Sequence, residues 1–466
     1  MSRHRFLMLG ASIVGVGMLP FAQRSYAYAQ DYVTPYNYAS ADVLADPKSH
    51  TEALRRMFSD ERLKPPYLFK LPVRKPNPAI PGDYGGWRVT MGSGFATFPV
   101  KSKWTLTCAP PDPTEPGANS WLHRWGELVD GQRMFQNTDQ INGNRDITFQ
   151  NVYVDGHKKG LAAGTGIDDD FDFDQHFLDI DIINTFLRIG QYPTKQDRRW
   201  NYRVYFLDCT VKNWPGISCE FRQVNDFKVS GNTIESSHRG SLIFRIGQRN
   251  GFVENNVVKY GGDDGIAFNG NVGAYADWPD TGGAANVTLT NNYLGVKELD
   301  PAYQNVEGGQ DIEELPGTRQ NPGNSPLAIR HAAGPVYVNN TTVTQTENGY
   351  TEKVNGQDVY FPPQPAVEVR DRQGFTSRNV YIDVLVVEPG IDNKLVAPAL
   401  SIPSPGVTGG IARGRVTEQY TGSSSPWQIA PPPDLFYRTD LDPPELTTSE
   451  ETNLTFSEGL APPRGL

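Results

Sequence analysis

The chain of 466 residues carries 53 acidic against 43 basic side chains, a formal net charge of −10, which argues against a surface built to attract nucleic acid or anionic membrane. Its 46 glycines and 37 prolines, with 38% apolar residues, suit a turn-rich β protein better than a helical one. By length alone two or three globular domains would be expected, but one elongated solenoid absorbs the same length.

Residues 1–29 read as a secretory signal. Arg3 and Arg5 precede an apolar run over residues 6–21, and Ala27-Tyr28-Ala29 supplies the small-x-small cleavage site. The run is shorter than the roughly 20 residues a bilayer span needs. No later segment approaches that length, so a soluble, secreted or periplasmic protein is expected, with no membrane contact after signal removal. Its charge falls to about −13 once three basic residues leave with the signal. Ser2-Arg3-His4-Arg5-Phe6-Leu7 resembles a twin-arginine export signal, with His4 where the second arginine belongs; the export route stays open.

Residues 30–141 are irregular, and the pattern predicts an N-terminal cap. Leu54, Met57 and Phe58 share one face of a predicted helix over residues 49–62. Strand-like runs at residues 87–91 and 104–108 alternate with Pro-rich links such as Lys64-Pro65-Pro66 and Pro110-Pro111-Asp112-Pro113. A β-helix needs such a cap, because its end exposes strand edges and core.

Residues 142–420 predict an all-β, right-handed parallel β-helix. Strand-like runs lie at residues 146–154, 177–184 and 187–190, and then one pattern runs three times. Its passes contain Phe206-Leu207-Asp208-Cys209-Thr210-Val211, Val229-Ser230-Gly231-Asn232-Thr233-Ile234 and Val253-Glu254-Asn255-Asn256-Val257-Val258. Each leads through a turn into a second strand, so that Phe221, Phe244 and Phe268 fall 23 and 24 residues apart. A period of that length, with β-branched runs and Gly/Asn/Asp turns, is a solenoid signature. Like positions then stack at about 4.8 Å, giving aromatic on aromatic in the interior. Further runs follow at residues 286–294, 336–340 and 380–382. The acidic, Gly/Pro-rich residues 297–325 predict a protruding loop. Residues 421–466, with Pro431-Pro432-Pro433 and a Ser/Thr/Glu-rich end, predict a tail partly disordered or draped on the solenoid.

Cys108, Cys209 and Cys219 cannot all pair. A buried free thiol is the reading for Cys219, which alternates with apolar positions; a Cys209–Cys219 bridge stays open.

Strand alternation sorts side chains into faces. Cys219, Leu242, Ile266, Leu327 and Val367 point inward, and so do Phe221, Phe244, Phe268, Ile329 and Val369. Their outward neighbours are Arg222, Arg245, Asn269, Arg330 and Arg370, and Arg188 is expected to precede them. Stacked like charges repel. Either carboxylates such as Glu220 and Glu368 in the adjoining column pair them, or the column lines a groove for an anionic chain, since guanidinium grips carboxylate and sulfate in bidentate fashion. A second group sits on a turn: one repeat before Gly262 and Asp263 stand His238 and Arg239, so His238, Arg239, Asp263 and Asp264 share one corner of adjacent coils. Two neighbouring carboxylates can divide acid and base roles; a structural Asp-Gly turn with an Arg239–Asp263 ion pair is the alternative.

The coils resemble the pectin lyase-like β-helix superfamily, and Gly262-Asp263-Asp264-Gly265-Ile266-Ala267-Phe268 resembles the Gly-Asp-Asp segment of polygalacturonase-type glycoside hydrolases. The resemblance implies inverting hydrolysis of an acidic polysaccharide, with Asp263 and Asp264 as acid and base. His238-Arg239-Gly240 stands where that family has Asn-Thr-Asp, and its later Gly-His-Gly and Arg-Ile-Lys elements are missing. Lyases and C5-epimerases of the same superfamily imply a different use, in which His238 or Arg239 abstracts a proton from a uronate, often with calcium. No cofactor is otherwise expected, and the hard oxygen ligands for such an ion would come from Asp168, Asp169, Asp170, Asp172 and Asp174. That run lacks the glycine of an EF-hand and reads equally as a solvated loop. A non-catalytic glycan-binding solenoid is the third reading, and the oligomeric state stays open. At about 3.3 Å per residue, the aspartate corner and the arginine column should lie roughly 16 Å apart, with a shallow trough over outward-facing Gly265 and Ala267 between them.

Overall fold

The computed structural model describes residues 32–111, 114–126, 132–138, 143–156, 185–190, 200–214, 216–237, 240–260, 264–270, 283–295, 325–345, 350–354, 357–361, 365–370, 377–389, 400–402, 407–416, 427–429, 436–438 and 451–457. The signal, the aspartate run at residues 168–174, His238, Arg239, Asp263 and residues 297–324 of the acidic loop lie outside them.

The chain winds as a parallel β-helix whose coils present three faces. Face A stacks Tyr67–Leu71, Trp104–Cys108, Arg145–Gln150 and Asn201–Leu207 in parallel register. It continues through the second halves of Ile217–Ser230 and Leu242–Glu254, then Ala284–Thr290 and the start of Val336–Gln345. Face B runs from Trp87–Thr90 and Leu122–Trp125 through Tyr153–Asp155, Thr210–Lys212, Thr233–Glu235 and Val257–Lys259 to Tyr293–Gly295. Face C stacks Phe98–Val100, Arg133–Asn137, Thr185–Ile189 and the first halves of the two long strands. It goes on through Ile266–Asn269, Leu327–Arg330 and Val367–Arg370 to Leu400–Ile402.

The interior is built as the repeat predicts. Phe221, Phe244 and Phe268 stack with ring centroids 5.2 and 4.7 Å apart and planes within 20°. All three cysteines are buried and unbonded, so the Cys209–Cys219 bridge is not formed; burial pushes the Cys108 thiol up to about 12. Between faces A and B the backbone enters the left-handed region at Asn151, Asp208, Gly231, Asn255, Asn291 and Asn340, which Gly, Asn and Asp tolerate better than other residues. The next position in three successive coils is a buried asparagine. Asn232 Nδ2 donates to Asn256 Oδ1 at 2.8 Å, and Asn256 Nδ2 to Asn292 Oδ1 at 2.9 Å. Each ladder side chain also accepts from backbone N–H, as Asn232 does from Cys209, so the corner's buried polar groups are satisfied without water.

The N-terminal end differs from expectation. Parallel winding begins at Tyr67, far ahead of residue 142, so the strands assigned from sequence to a separate cap over residues 30–141 are themselves coils. Their Pro-rich links hide the period by varying the length of each connection. What closes the end is the helix His50–Ser59, which buries Ala53, Leu54, Met57 and Phe58. Phe58 plugs the lumen, with ring centroids 5.1 Å from Phe69, 5.1 Å from Phe98 and 5.3 Å from Phe135. In the tail, Trp427–Ile429 extends face C beside Leu400–Ile402, and Glu451–Ser457 pairs antiparallel with Val407–Val416, occupying an edge that would otherwise offer unpaired backbone groups.

Buried His50 ties this helix to the first full coil. Its Nδ1 accepts from the Arg88 backbone N–H at 3.0 Å, and its Nε2 lies 2.9 Å from the Leu44 carbonyl. Those partners require the neutral ring with the proton on Nε2, and burial lowers the pKa to about 4. A lowered histidine pKa stabilises fully above the ordinary value of 6.5, and that stability drains away as pH falls toward 4. We expect the hydrogen-exchange protection factors of residues 50–59 to fall across this window ahead of those of the coils around Phe244. Uniform protection of the helix down to pH 4 would refute it.

Candidate functional site

Outward side chains on face A alternate with buried ones and meet water, and so do those of face B at Tyr153–Asp155, Thr210–Lys212, Thr233–Glu235 and Val257–Lys259, although Leu122–Trp125 is buried throughout. The outer side of face C is buried from Ile217 to Arg222 and again at Ile266–Asn269 and Leu327–Arg330. Two outward columns define it. One aligns Arg222, Arg245, Asn269, Arg330 and Arg370, in the register expected from sequence; the other aligns Glu220, Ile243, Ala267, Ala328 and Glu368. Arg188 does not precede the arginines. It is level with Glu220, two positions earlier, because strand Thr185–Ile189 ends at Gly190, whose space is closed by the Arg222 backbone.

The charges pair among themselves. Glu220, 0% exposed, accepts from Arg188 Nε at 2.5 Å and from Arg222 Nε and Nη2 at 2.9 and 2.6 Å, with Arg245 Nε at 3.3 Å. Three coils on, Arg330 makes the other hub. Its Nη1 donates to Asp264 Oδ2 at 2.7 Å and Asn269 Oδ1 at 2.9 Å, its Nη2 to Asp264 Oδ1 at 3.1 Å, and its Nε to Glu368 Oε2 at 3.0 Å. Arg370 completes the chain, 3.4 Å from Glu368. Burial alone would lower the Arg330 pKa, but the charges and hydrogen bonds of Asp264 and Glu368 win and raise it. Thus carboxylates of the adjoining column, Glu220 and Glu368, do partner the arginines, as the structural alternative required.

Asp264 departs from expectation. Only 3% exposed, it grips Arg330 directly, so the corner and the arginine column are not held roughly 16 Å apart. The estimate from residue spacing assumed a straight strand and ignored side-chain reach. The strand starts only at Ile266, and the Arg330 side chain turns back along it. A guanidinium anchored at once on Asn269, Glu368 and Asp264 must lie over the Ala267 and Ala328 positions between them. The expected trough over Gly265 and Ala267 is accordingly filled: Ala267 is 0% exposed and joins Ile217, Ile243 and Ala328 in a second apolar cluster outside the lumen. A tryptophan at position 267 has no open surface to occupy. The sequence does carry a signal for this cluster, since Leu242, Ile243 and Phe244 are apolar in succession, the mark of a strand covered on both faces. Buried His331, beside Arg330, is not singled out by the sequence pattern; its side chain fills the Cβ space of Gly270, and the His331 carbonyl, its ring and the Ala333 backbone nitrogen fill that of Gly283.

Among the described residues no group of three or more His, Cys, Asp or Glu is placed to hold a metal. No protein-family model matches the chain, and no curated protein matches it in sequence. Among solved structures, the chain is similar to the A-module of Azotobacter vinelandii mannuronan C-5 epimerase AlgE6, with 12% identity over 86% of this chain and 97% of that one and a TM-score of 0.43. It is similar to the catalytic domain of a GH87 alpha-1,3-glucanase, with 11% identity, 80% and 55% of the two chains covered and a TM-score of 0.39. PfbA, a surface adhesin of Streptococcus pneumoniae, shares 10% identity over 84% and 90%, also with a TM-score of 0.39. At such distances these likenesses carry no argument about activity.

Proposed function

We propose that this chain is an exported carbohydrate-active protein that hydrolyses an acidic polysaccharide at the margin of face C, where the buried charge network reaches the surface at Arg370. The observation that carries this reading is the buried ionic network outside the lumen. Charges withdrawn from water cost several kcal/mol each before pairing repays them, and apolar residues of similar volume are often as stable or better. Closing the β-helix needs only its interior, so a charged wall on the far side of the strands is better explained by chemistry. Among the described residues the network sets five guanidiniums (Arg188, Arg222, Arg245, Arg330 and Arg370) against three carboxylates (Glu220, Glu368 and Asp264). Arg370 keeps 40% of its side chain exposed, where it suits the carboxylate of a uronate.

Within this reading Asp264 is the base. Both of its oxygens accept from Arg330, which fixes the position of the carboxylate. The acid role is assigned to Asp263, its neighbour in sequence. The test incubates the mature protein with acidic glycans (alginate, polygalacturonate, hyaluronan) and neutral ones (xylan, β-glucan) and weighs the products. We expect fragments of an acidic glycan carrying one added water, and a loss of about 10²-fold or more in Asp264→Asn, the range for general acid–base groups. Full activity of that variant on every cleaved glycan would sink the reading. Unsaturated products, lighter by one water, would point instead to elimination, and no products from any glycan would favour a binding solenoid.

A further inference from the structure

The outer side of face A between residues 250 and 340 has a different chemistry from face C. Two exposed asparagine ladders rim it. On one side Asn286 Nδ2 donates to Asn250 Oδ1 at 2.7 Å, and Asn250 in turn to Asn225 at 3.0 Å. On the other, Asn340 donates to Asn291 at 2.7 Å and Asn291 to Asn255 at 3.3 Å. Between the rims Phe252, Thr288 and Tyr337 stand in one register column, followed by Tyr381, whose ring stacks on Tyr337 at 5.3 Å. Phe252 is 39% exposed. The carboxylate beside it, Glu254, is paired with Lys228 at 2.7 Å.

An amide side chain has two N–H donors and a carbonyl with two lone pairs. A ladder rung spends one of each on its neighbours and turns the others to the surface, repeating at the strand spacing of about 4.8 Å. The face therefore offers alternating donors and acceptors without net charge, beside a strip of aromatic edges and threonine methyls. Nucleic acid or a uronate chain would require cations here. A peptide strand would require an open sheet edge rather than a sheet face. The complementary ligand has hydroxyls that both donate and accept, and apolar C–H surfaces between them.

We propose that this part of face A binds a neutral polysaccharide, at a site separate from face C. The test is electrophoresis of the mature protein in native gels containing a soluble β-glucan, a xylan or a galactomannan, with alginate as the acidic comparison. We expect at least one neutral glycan to retard the protein. Retardation should be lost in the double variant Phe252→Ala/Tyr337→Ala and kept in Asp264→Asn, which separates this site from the face C reading. Both rings point away from the lumen, so the double variant should melt as the wild type does. Should it melt early, Asn286→Asp/Asn291→Asp replaces it, placing carboxylates in the exposed ladders with the same expected loss. Retardation that persists in a variant of wild-type stability overturns the proposal. So does retardation by alginate alone, by no glycan, or a wild-type dimer in light scattering that no neutral glycan retards, which would make the face a contact between copies.

Discussion

Replacing Glu220 with Gln is expected to destabilise the protein by about 3–5 kcal/mol, the range for removing one partner of a buried ion pair. Arg188, Arg222 and Arg245 converge on this one carboxylate from three successive coils, so its loss removes the anion they share and leaves three like charges in neighbouring rungs. Burial alone would raise the Glu220 pKa; the charges of Arg222, Arg245 and Arg188 outweigh it and bring the value down to about 2, from an ordinary 4.5. A lowered carboxylate pKa contributes stability that is complete above 4.5 and disappears as pH falls through 2. Denaturant unfolding of the wild type should therefore weaken in that window, while Glu220→Gln starts lower and stays flatter through it. An unchanged unfolding midpoint in the variant at pH 7 would show that the cluster holds nothing together.

Phe244→Ala should cost a similar amount, about 3–5 kcal/mol for a large aromatic removed from a packed core. Its ring is held between Phe221 and Phe268 and also touches Phe227 at 5.5 Å, so the cavity opens between three rings that cannot all close on it. Coils of a solenoid contact only their neighbours. Hydrogen exchange should accordingly rise most in the strands around Phe221 and Phe268, with the helix His50–Ser59 spared. Phe252→Ala, an outward ring in the same coil, should change stability by no more than roughly 0.5 kcal/mol. Equal losses from the two variants would contradict the assignment of inside and outside.

The contrast between Phe244 and Phe252 also marks how far the sequence reaches. Side chains alternate along a strand and coils repeat, so a single chain lists its own stacking columns: Phe221 on Phe244 on Phe268 follows from spacing, and Arg222 on Arg245 on Asn269 on Arg330 on Arg370 from alternation within matching strands. The corner between faces A and B is not legible in this way, because Gly231-Asn232, Asn255-Asn256 and Asn291-Asn292 fall inside what alternation reads as continuous strand runs, and only the structure shows the left-handed backbone and the asparagine ladder there. The start of winding at Tyr67 was not legible, because connections of unequal length around Pro-rich links erase the period while leaving the strands parallel.

Alternation says whether a side chain faces the lumen, and it says nothing of what lies over the other side. Ala267 was correctly placed off the core and wrongly placed in water. Arg188 stands two positions before the arginine column, level with Glu220, a register that pairing with Ile217–Ser230 decides. Asp264 and Arg330 are 66 residues apart, on adjacent coils, and meet only because a long flexible side chain can turn back across small neighbours to reach a carboxylate. The sequence by itself determined the coil, its interior and which residues stand in rows. Tertiary structure alone decided which charges in those rows touch, because ion pairing depends on side-chain reach and burial across coils, neither of which is periodic in the chain.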